Sequence, residues 1–372
     1  MPPASSKCLL LIVSLSLLFA GRLAGQSAPP NPCTAPPIPA LDIPYETRTV
    51  EPGECGKLIF ASGTTVCVPP NSLVDANGQP VKGPVTIYYR ELHTPGEMIR
   101  SGTKMTLGAQ RNAPHLESAG MFEIQAAQKE EPVYLRENTK LDVRMRSYSQ
   151  MPNPEFFRYD CNQQTWKAQD EPVRVSREAA PKPATGIGFM GEVASAEDDP
   201  ETFTTGFDEG DFSDDFGGDW VGDYEVDTAW AQQEAFREEV FMEMGISAFG
   251  FYNCDRQMEE ENPVIVKASF EIAGEPEPEN LIVYVVYKGL NSVISFSPES
   301  PFYEFYLLPN QPYRLVAIHS RNKMAVFDTH QLLPEEVENY RNKAFTFRLT
   351  PVPDNQTDGS NSYQLAQTLG FY

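Results

Sequence analysis

The chain is predicted to be mainly β, with two β-sandwich-like domains joined by a disordered acidic linker and a short helix, and three observations lead there. Short runs of β-branched and aromatic residues end repeatedly at glycine, proline or asparagine. Proline is abundant, 33 among 372 residues, which favours strands and turns over long helices. Residues 192–227 hold fourteen acidic residues, no Lys or Arg and five scattered glycines, too little apolar surface to offset the entropy of ordering.

The first residues carry Lys7, an apolar run from Cys8 to Ala20 and small residues around Ala24-Gly25, the pattern of a secretory signal over 1–25. The apolar run is too short to span a bilayer and no second one follows, so an integral membrane protein is not expected. A proline-rich, extended lead-in occupies 26–44. The first sandwich domain is read over 45–175, with strands at Lys57 to Ala61, Thr64 to Pro69, Pro84 to Glu91, Lys104 to Leu107, Ala119 to Ala127 and Lys140 to Arg146, and a hairpin from Phe156 to Lys167. The linker spans 176–227, and a helix is predicted over 228–244, where Trp230, Phe236, Val240, Phe241 and Met244 share a helical face behind a cap at Asp227 or Thr228. Seven short strands between Val264 and Leu349 predict a second sandwich domain over 246–350, followed by a flexible tail, 351–372.

The stretch from Gly56 to Arg90 also resembles a known domain. Its Gly-x-Leu strand, glycine turn and run Val68-Pro69-Pro70-Asn71-Ser72-Leu73 are similar to the β-sandwich domain of netrin receptors and ankyrins, although Asn71 and Ser72 replace the commoner glycine and alanine. The phrases from Glu117 to Ile124 and from Phe251 to Arg256 resemble secreted cell-envelope proteins of Bacteroidetes that have no assigned mechanism. The resemblance covers roughly 40–350 and implies location and architecture, not an activity.

Cleavage of the signal removes Lys7 and Arg22 and leaves 27 basic against 52 acidic residues, a charge of −25. Such a chain repels phosphate backbones, so nucleic acid is not an expected partner. Five cysteines remain, Cys33, Cys55, Cys67, Cys161 and Cys254, enough for two disulfides and one leftover thiol, with the pairing open.

No catalytic or cofactor motif is organised. His93, His115, His319 and His330 are isolated and read as loop or surface residues, without the spacing that would hold zinc. Cys254 with His319 is a conceivable nucleophile and base, but Cys254 reads better as a buried thiol or disulfide half. Asp208, Asp211, Asp214, Asp215 and Asp219 do not follow the calcium-loop order, and Gly186 to Gly191 matches a dinucleotide fingerprint without the strand and helix it requires. Glu91, Glu117 and Glu123 read as carboxylates on solvated sheet faces rather than a glycosidase pair. The residues marked for partner contact are Phe203, Phe207, Phe212, Phe216, Trp220 and Tyr224, which recur every four or five positions through the acidic run. The expectation is a non-catalytic exported cell-envelope protein, in the periplasm, on the surface or outside the cell, that acts as a binding, adhesion or structural module toward an envelope protein or a glycan. The alternative is a carbohydrate-active or peptide hydrolase.

The signal reading predicts that the exported chain begins near Gln26 and carries no acyl group. N-terminal sequencing and intact mass of the native protein check this; a retained Met1 or an acylated cysteine contradicts it.

Overall fold

The computed structural model describes residues 29, 32–107, 114–179, 238–258, 264–274, 281–296, 303–309, 311–319, 323–332, 336, 344–353 and 368–369. The signal segment, the acidic run with its six marked aromatic residues, and Trp230 and Phe236 lie outside the described residues.

In chain order the first unit contains β1 (Glu46–Val50), β2 (Gly56–Ile59), β3 (Thr65–Val68), β4 (Leu73–Val74), β5 (Val85–Leu92), α1 (Pro95–Ser101), β6 (Leu116–Gln128), β7 (Glu131–Pro132), β8 (Tyr134–Leu135), β9 (Leu141–Ser147), β10 (Glu155–Asp160), β11 (Thr165–Ala168), β12 (Arg174–Ala179), β13 (Glu238–Ile246) and β14 (Gly250–Gln257). One sheet runs β1-β5-β6-β14-β10-β11, with β7 added beside β6, and the other runs β12-β13-β9-β3-β2. Period-2 alternation sets the faces. Leu141, Val143 and Met145 of β9 point into the space between the sheets, where they join Leu58, Val66, Ile87, Phe122, Ile124 and Met242. Asp142, Arg144 and Arg146 of β9 point the other way. There Arg146 pairs with Glu239 at 2.9 Å, and the Arg144 guanidinium lies 3.3 Å from the centre of the Phe241 ring.

Two expectations fail in this unit. From Glu238 onward the chain is a strand, not the end of a helix: Val240, Met242, Met244 and Ile246 are buried at every second position and β13 pairs with both β9 and β12. The four-residue spacing of Val240 and Met244 satisfies period 2 as well as the helical period, and the sheet decides between them. The first unit therefore does not end at Val175. β12 runs on to Ala179, and β13 and β14 return from beyond the acidic run to fill places inside the two sheets. Ala179 pairs directly with Glu238, so the 58 residues from 180 to 237 leave and rejoin one hairpin. Closing a connection of that length costs about 2 kcal/mol more than a four-residue turn, which the paired strands must supply.

Two smaller differences follow from local chemistry. In place of a strand at Lys104 to Leu107 there is a single bridge, Thr106 to His115. The helix α1 carries a capping box, since Glu97 N–H donates to Thr94 Oγ1 and the Glu97 carboxylate accepts from Thr94 N–H. It ends at Gly102, left-handed at φ 74°, where a Cβ would lie 2.1 Å from the Ala35 carbonyl oxygen.

The second unit holds the seven expected strands: β15 (Val264–Ile272), β16 (Ile282–Tyr287), β17 (Val293–Phe296), β18 (Tyr303–Leu307), β19 (Pro312–His319), β20 (Lys323–Gln331) and β21 (Phe345–Pro351). They form one sheet, β17-β16-β19-β20-β21-β15-β18, which curls until β17 and β18 approach each other. Its concave side is filled by Val266, Val283, Leu315, Phe347 and the stacked rings of Phe296 and Phe305, 4.2 Å apart.

Its outer side packs on the first unit through a shared core that includes Met98, Met121, Trp166 and Phe251 from one and Tyr284, Val286, Val316 and Ile318 from the other. Asn291 and Ser118 exchange two hydrogen bonds, 2.9 and 2.8 Å, across this boundary. The tail is not wholly free: Val352 and Leu369 are buried in the shared core. Nor is all of the lead-in extended and loose, since Ile38, Leu41 and Ile43 are buried there too.

Because β13 and β14 complete the first unit, proteolytic nicking between Ala179 and Glu238 is expected to leave one particle on native size exclusion, with the fragments separating only in denaturant. Residues 45–175 expressed alone are expected to be insoluble. Two freely separating soluble fragments overturn this account.

Candidate functional site

The lead-in is fastened to the sheet by one buried ion cluster. Arg90 of β5 and Glu123 of β6 are opposite each other in register. Arg90 Nε and Nη2 both donate to Glu123 Oε2, at 2.9 and 2.7 Å. Arg90 also donates to Asp42 Oδ1, Ile43 O and Thr34 Oγ1, while Glu123 accepts from Cys33 N–H and Tyr45 O–H. Burial acts to weaken the hold of Arg90 on its proton, but Glu123, Tyr45 and Asp42 outweigh it and raise its pKa. Burial, then the Glu123 charge, pushes the Tyr45 hydroxyl far above its ordinary value. The disulfide Cys33–Cys161 ties the same lead-in to the β10–β11 turn. Every charge here has a protein partner, so the cluster is structural; removing one partner of such a pair costs about 3–5 kcal/mol.

Next to this cluster, at one end of the sandwich, is a cleft of about 270 Å³. Three pieces of chain and one side chain build it: Gln125 and Ala126 of β6, Pro132 to Leu135, the Ser247 to Phe249 turn that carries the chain from one sheet to the other, and Arg158 of β10. Tyr134 keeps 48 % of its surface in solvent, and among the described residues only Tyr148 is another ring of comparable exposure. Gln125 donates to Glu123 Oε1 at 3.4 Å, on the face of the sheet opposite to that of Tyr252 and Arg158. Arg158 Nη2 donates to Phe249 O at 3.2 Å, and its guanidinium carbon lies 6.0 Å from the Tyr252 ring centre. Gly250 permits this approach, because a Cβ there would lie 3.2 Å from Arg158 Nε. The lining offers two aromatic residues, Tyr134 and Phe249, with Ser247 and the Arg158 cation, and no carboxylate or histidine to move a proton.

Candidates drawn from the sequence fall elsewhere. Phe203, Phe207, Phe212, Phe216, Trp220 and Tyr224 are outside the described residues, as are the five aspartates and the glycine run. Glu91 and Glu123 are not on solvated faces. Glu91 is opposite Phe122 and Glu123 opposite Arg90, so their side chains leave opposite faces of one sheet and form no acid pair. Glu91 Oε1 accepts from Tyr89 O–H at 2.6 Å and Ser62 O–H at 2.9 Å, and Oε2 lies 2.6 Å from His93 Nε2. Burial would raise the Glu91 carboxyl, but its bonds with His93, Thr64 and Tyr89 outweigh that and hold it below its ordinary value. Glu117 is taken up by Arg256 at 2.6 Å. His115 and His319 are buried rather than at the surface, and burial lowers the His115 pKa to about 4. Cys254 is fully buried in the sandwich core, where desolvation and then the Asp255 charge raise its thiol pKa and remove its nucleophilic character. Cys67 lies opposite Lys57, and Cys55 and Cys67 are both free thiols.

Sequence reasoning missed one buried acid. Asp255 follows an irregularity between β14 and β6, where Cys254 is opposite Gly120 and Asp255 opposite Ser118. It accepts from the Asn253 amide, and its Oδ1 has no hydrogen-bond partner. Desolvation raises its pKa well above 3.8, more than Ser118 lowers it. The unfolded carboxyl ionises near pH 4 and the folded one far higher, so the stability associated with the neutral acid is complete at low pH and is lost as pH rises. Asp255→Asn is expected to melt at or near the wild-type temperature at pH 4 and several degrees above it at pH 8, about 2–4 °C per kcal/mol for a unit of this size. Thermal melts across that range check this; a constant difference between the two proteins contradicts it.

No protein-family profile, curated protein or solved structure matches the chain.

Proposed function

We propose that the protein is an exported, non-catalytic binding module of the cell envelope whose cleft beside Tyr134 holds a glycan. The observation that carries the reading is the lining: the half-exposed Tyr134 with Ser247 and the Arg158 guanidinium, in a space of about 270 Å³. A ring face covers the apolar side of a sugar and the polar groups meet its hydroxyls. Protein interfaces need roughly 800 Å² from each partner, far more than this cleft provides. The hydrolase alternative needs two carboxyls flanking a scissile bond, and the cleft lining supplies none. Export is supported by the signal-like first 25 residues and by the Cys33–Cys161 bond, a type of crosslink that persists in oxidising compartments. The resemblance of β6 and β14 to Bacteroidetes envelope proteins points the same way. The six aromatic residues of the acidic run are a second contact element in this reading, with rings supplying contact area and carboxylates steering the encounter.

Screening the protein against envelope glycans, with Tyr134→Ala and a Phe207, Phe212, Phe216 and Trp220 to serine variant in parallel, tests both elements. Tyr134→Ala is expected to weaken glycan binding about ten-fold, equivalent to about 1.4 kcal/mol, at unchanged melting temperature. Glycan binding that ignores Tyr134 places the site elsewhere. Envelope capture that survives the serine variant makes the acidic run a spacer.

A further inference from the structure

We infer that the ligand of this cleft is an acidic sugar, bound through its carboxylate by Arg158; the inference rests on the glycan reading above. The chain has nearly two acids for every base, and Arg48, Arg90, Arg144, Arg146 and Arg256 each lie within 4.0 Å of a carboxylate, while the half-buried Arg100 donates to the Leu41 carbonyl oxygen. Arg158 has no ion pair among the described residues, although it is half-buried and lines a cleft. An anion from outside would give this cation a charge-assisted partner that the described residues do not supply.

The guanidinium is also held ready. One of its five N–H groups is used by Phe249 O, the Tyr252 ring is beside it and the backbone at Gly250 passes close by. A planar fork fixed in this way loses little freedom on binding and matches the two oxygens of a carboxylate. The cleft is slightly smaller than the ~300–1,000 Å³ of sites for drug-sized ligands, so it takes one sugar ring and its immediate linkage rather than a long stretch of polymer. Tyr134 and Ser247 line the same cleft and remain for the ring and its hydroxyls. The strong negative charge of the chain slows the approach of an anion. It does not prevent the contact, because at physiological salt charges beyond about 8 Å are screened while the direct pair is not.

The test uses the full chain and a panel of uronic-acid oligosaccharides, each paired with the same oligosaccharide after reduction of its carboxyls to hydroxymethyl groups. Binding is measured by calorimetry in 0.15 M salt. At least one uronate is expected to bind, with its reduced counterpart at least ten-fold weaker. Arg158→Gln is expected to lose the same factor for the uronate and much less for the reduced sugar, and Arg158→Lys to recover part of the loss. Equal affinity for the two forms of wild-type ligand overturns the inference without needing any variant, so a poorly folded Arg158→Gln cannot obscure the result. If that equal binding is still weakened by Tyr134→Ala, the glycan cleft stands and only the acidic ligand is wrong. If no oligosaccharide binds in either form, both readings fall.

Discussion

The structure depends on one strand serving two cores at once. β14 lies between β6 and β10, and its successive side chains leave opposite faces of that sheet. Tyr252 and Cys254 fill the interior of the sandwich, whereas Phe251 belongs to the core shared with the second unit. Phe251 is fully buried against Trp166 and Tyr159, with ring centres 5.1 and 5.8 Å away. Truncating a buried phenylalanine costs about 3–5 kcal/mol, and here the loss falls on the sandwich and the unit boundary together. The β6–β14 pair also fixes the site, because Gln125 extends from one strand and the Ser247 to Phe249 turn leads into the other.

The second layer of organisation is electrostatic. The Arg90–Glu123 pair holds the lead-in, and Glu123 also receives the amide of Gln125. A second buried acid behaves differently: no cation offsets the burial of Asp255, and desolvation raises its pKa.

Local pattern was enough to read most strands. The seven in the second unit are bounded by turn residues and alternate clearly, and each was found within a few positions. Their spatial order was not readable, because the parallel pairing of Val264–Ile272 with Phe345–Pro351 joins segments whose complementarity no local window records. Residues 238–246 were misread because a spacing of four suits either periodicity. The helix α1 was missed although Thr94, Pro95, Glu97 and Gly102 spell out its start and stop, since seven residues are too few for a clear amphipathic stripe. The cleft had no signature at all. Gln125, Tyr134, Arg158 and Phe249 are ordinary residues in four separate stretches, and only the return of the chain through β13 and β14 brings them together. The two phrases that resembled envelope proteins, Glu117 to Ile124 and Phe251 to Arg256, turn out to be hydrogen-bonded neighbours.

The insertion of 58 residues between β12 and β13 also sets the order of events at the ribosome. β6 is complete at Gln128, but its partner β14 does not begin until Gly250. At ordinary synthesis rates the gap lasts on the order of ten seconds, during which the central edge of the sheet has no neighbour. Open apolar edges recruit other chains. The fourteen carboxylates of 192–227 emerge within that interval, ahead of β13, and bring concentrated like charge to the nascent chain while it is most exposed to association.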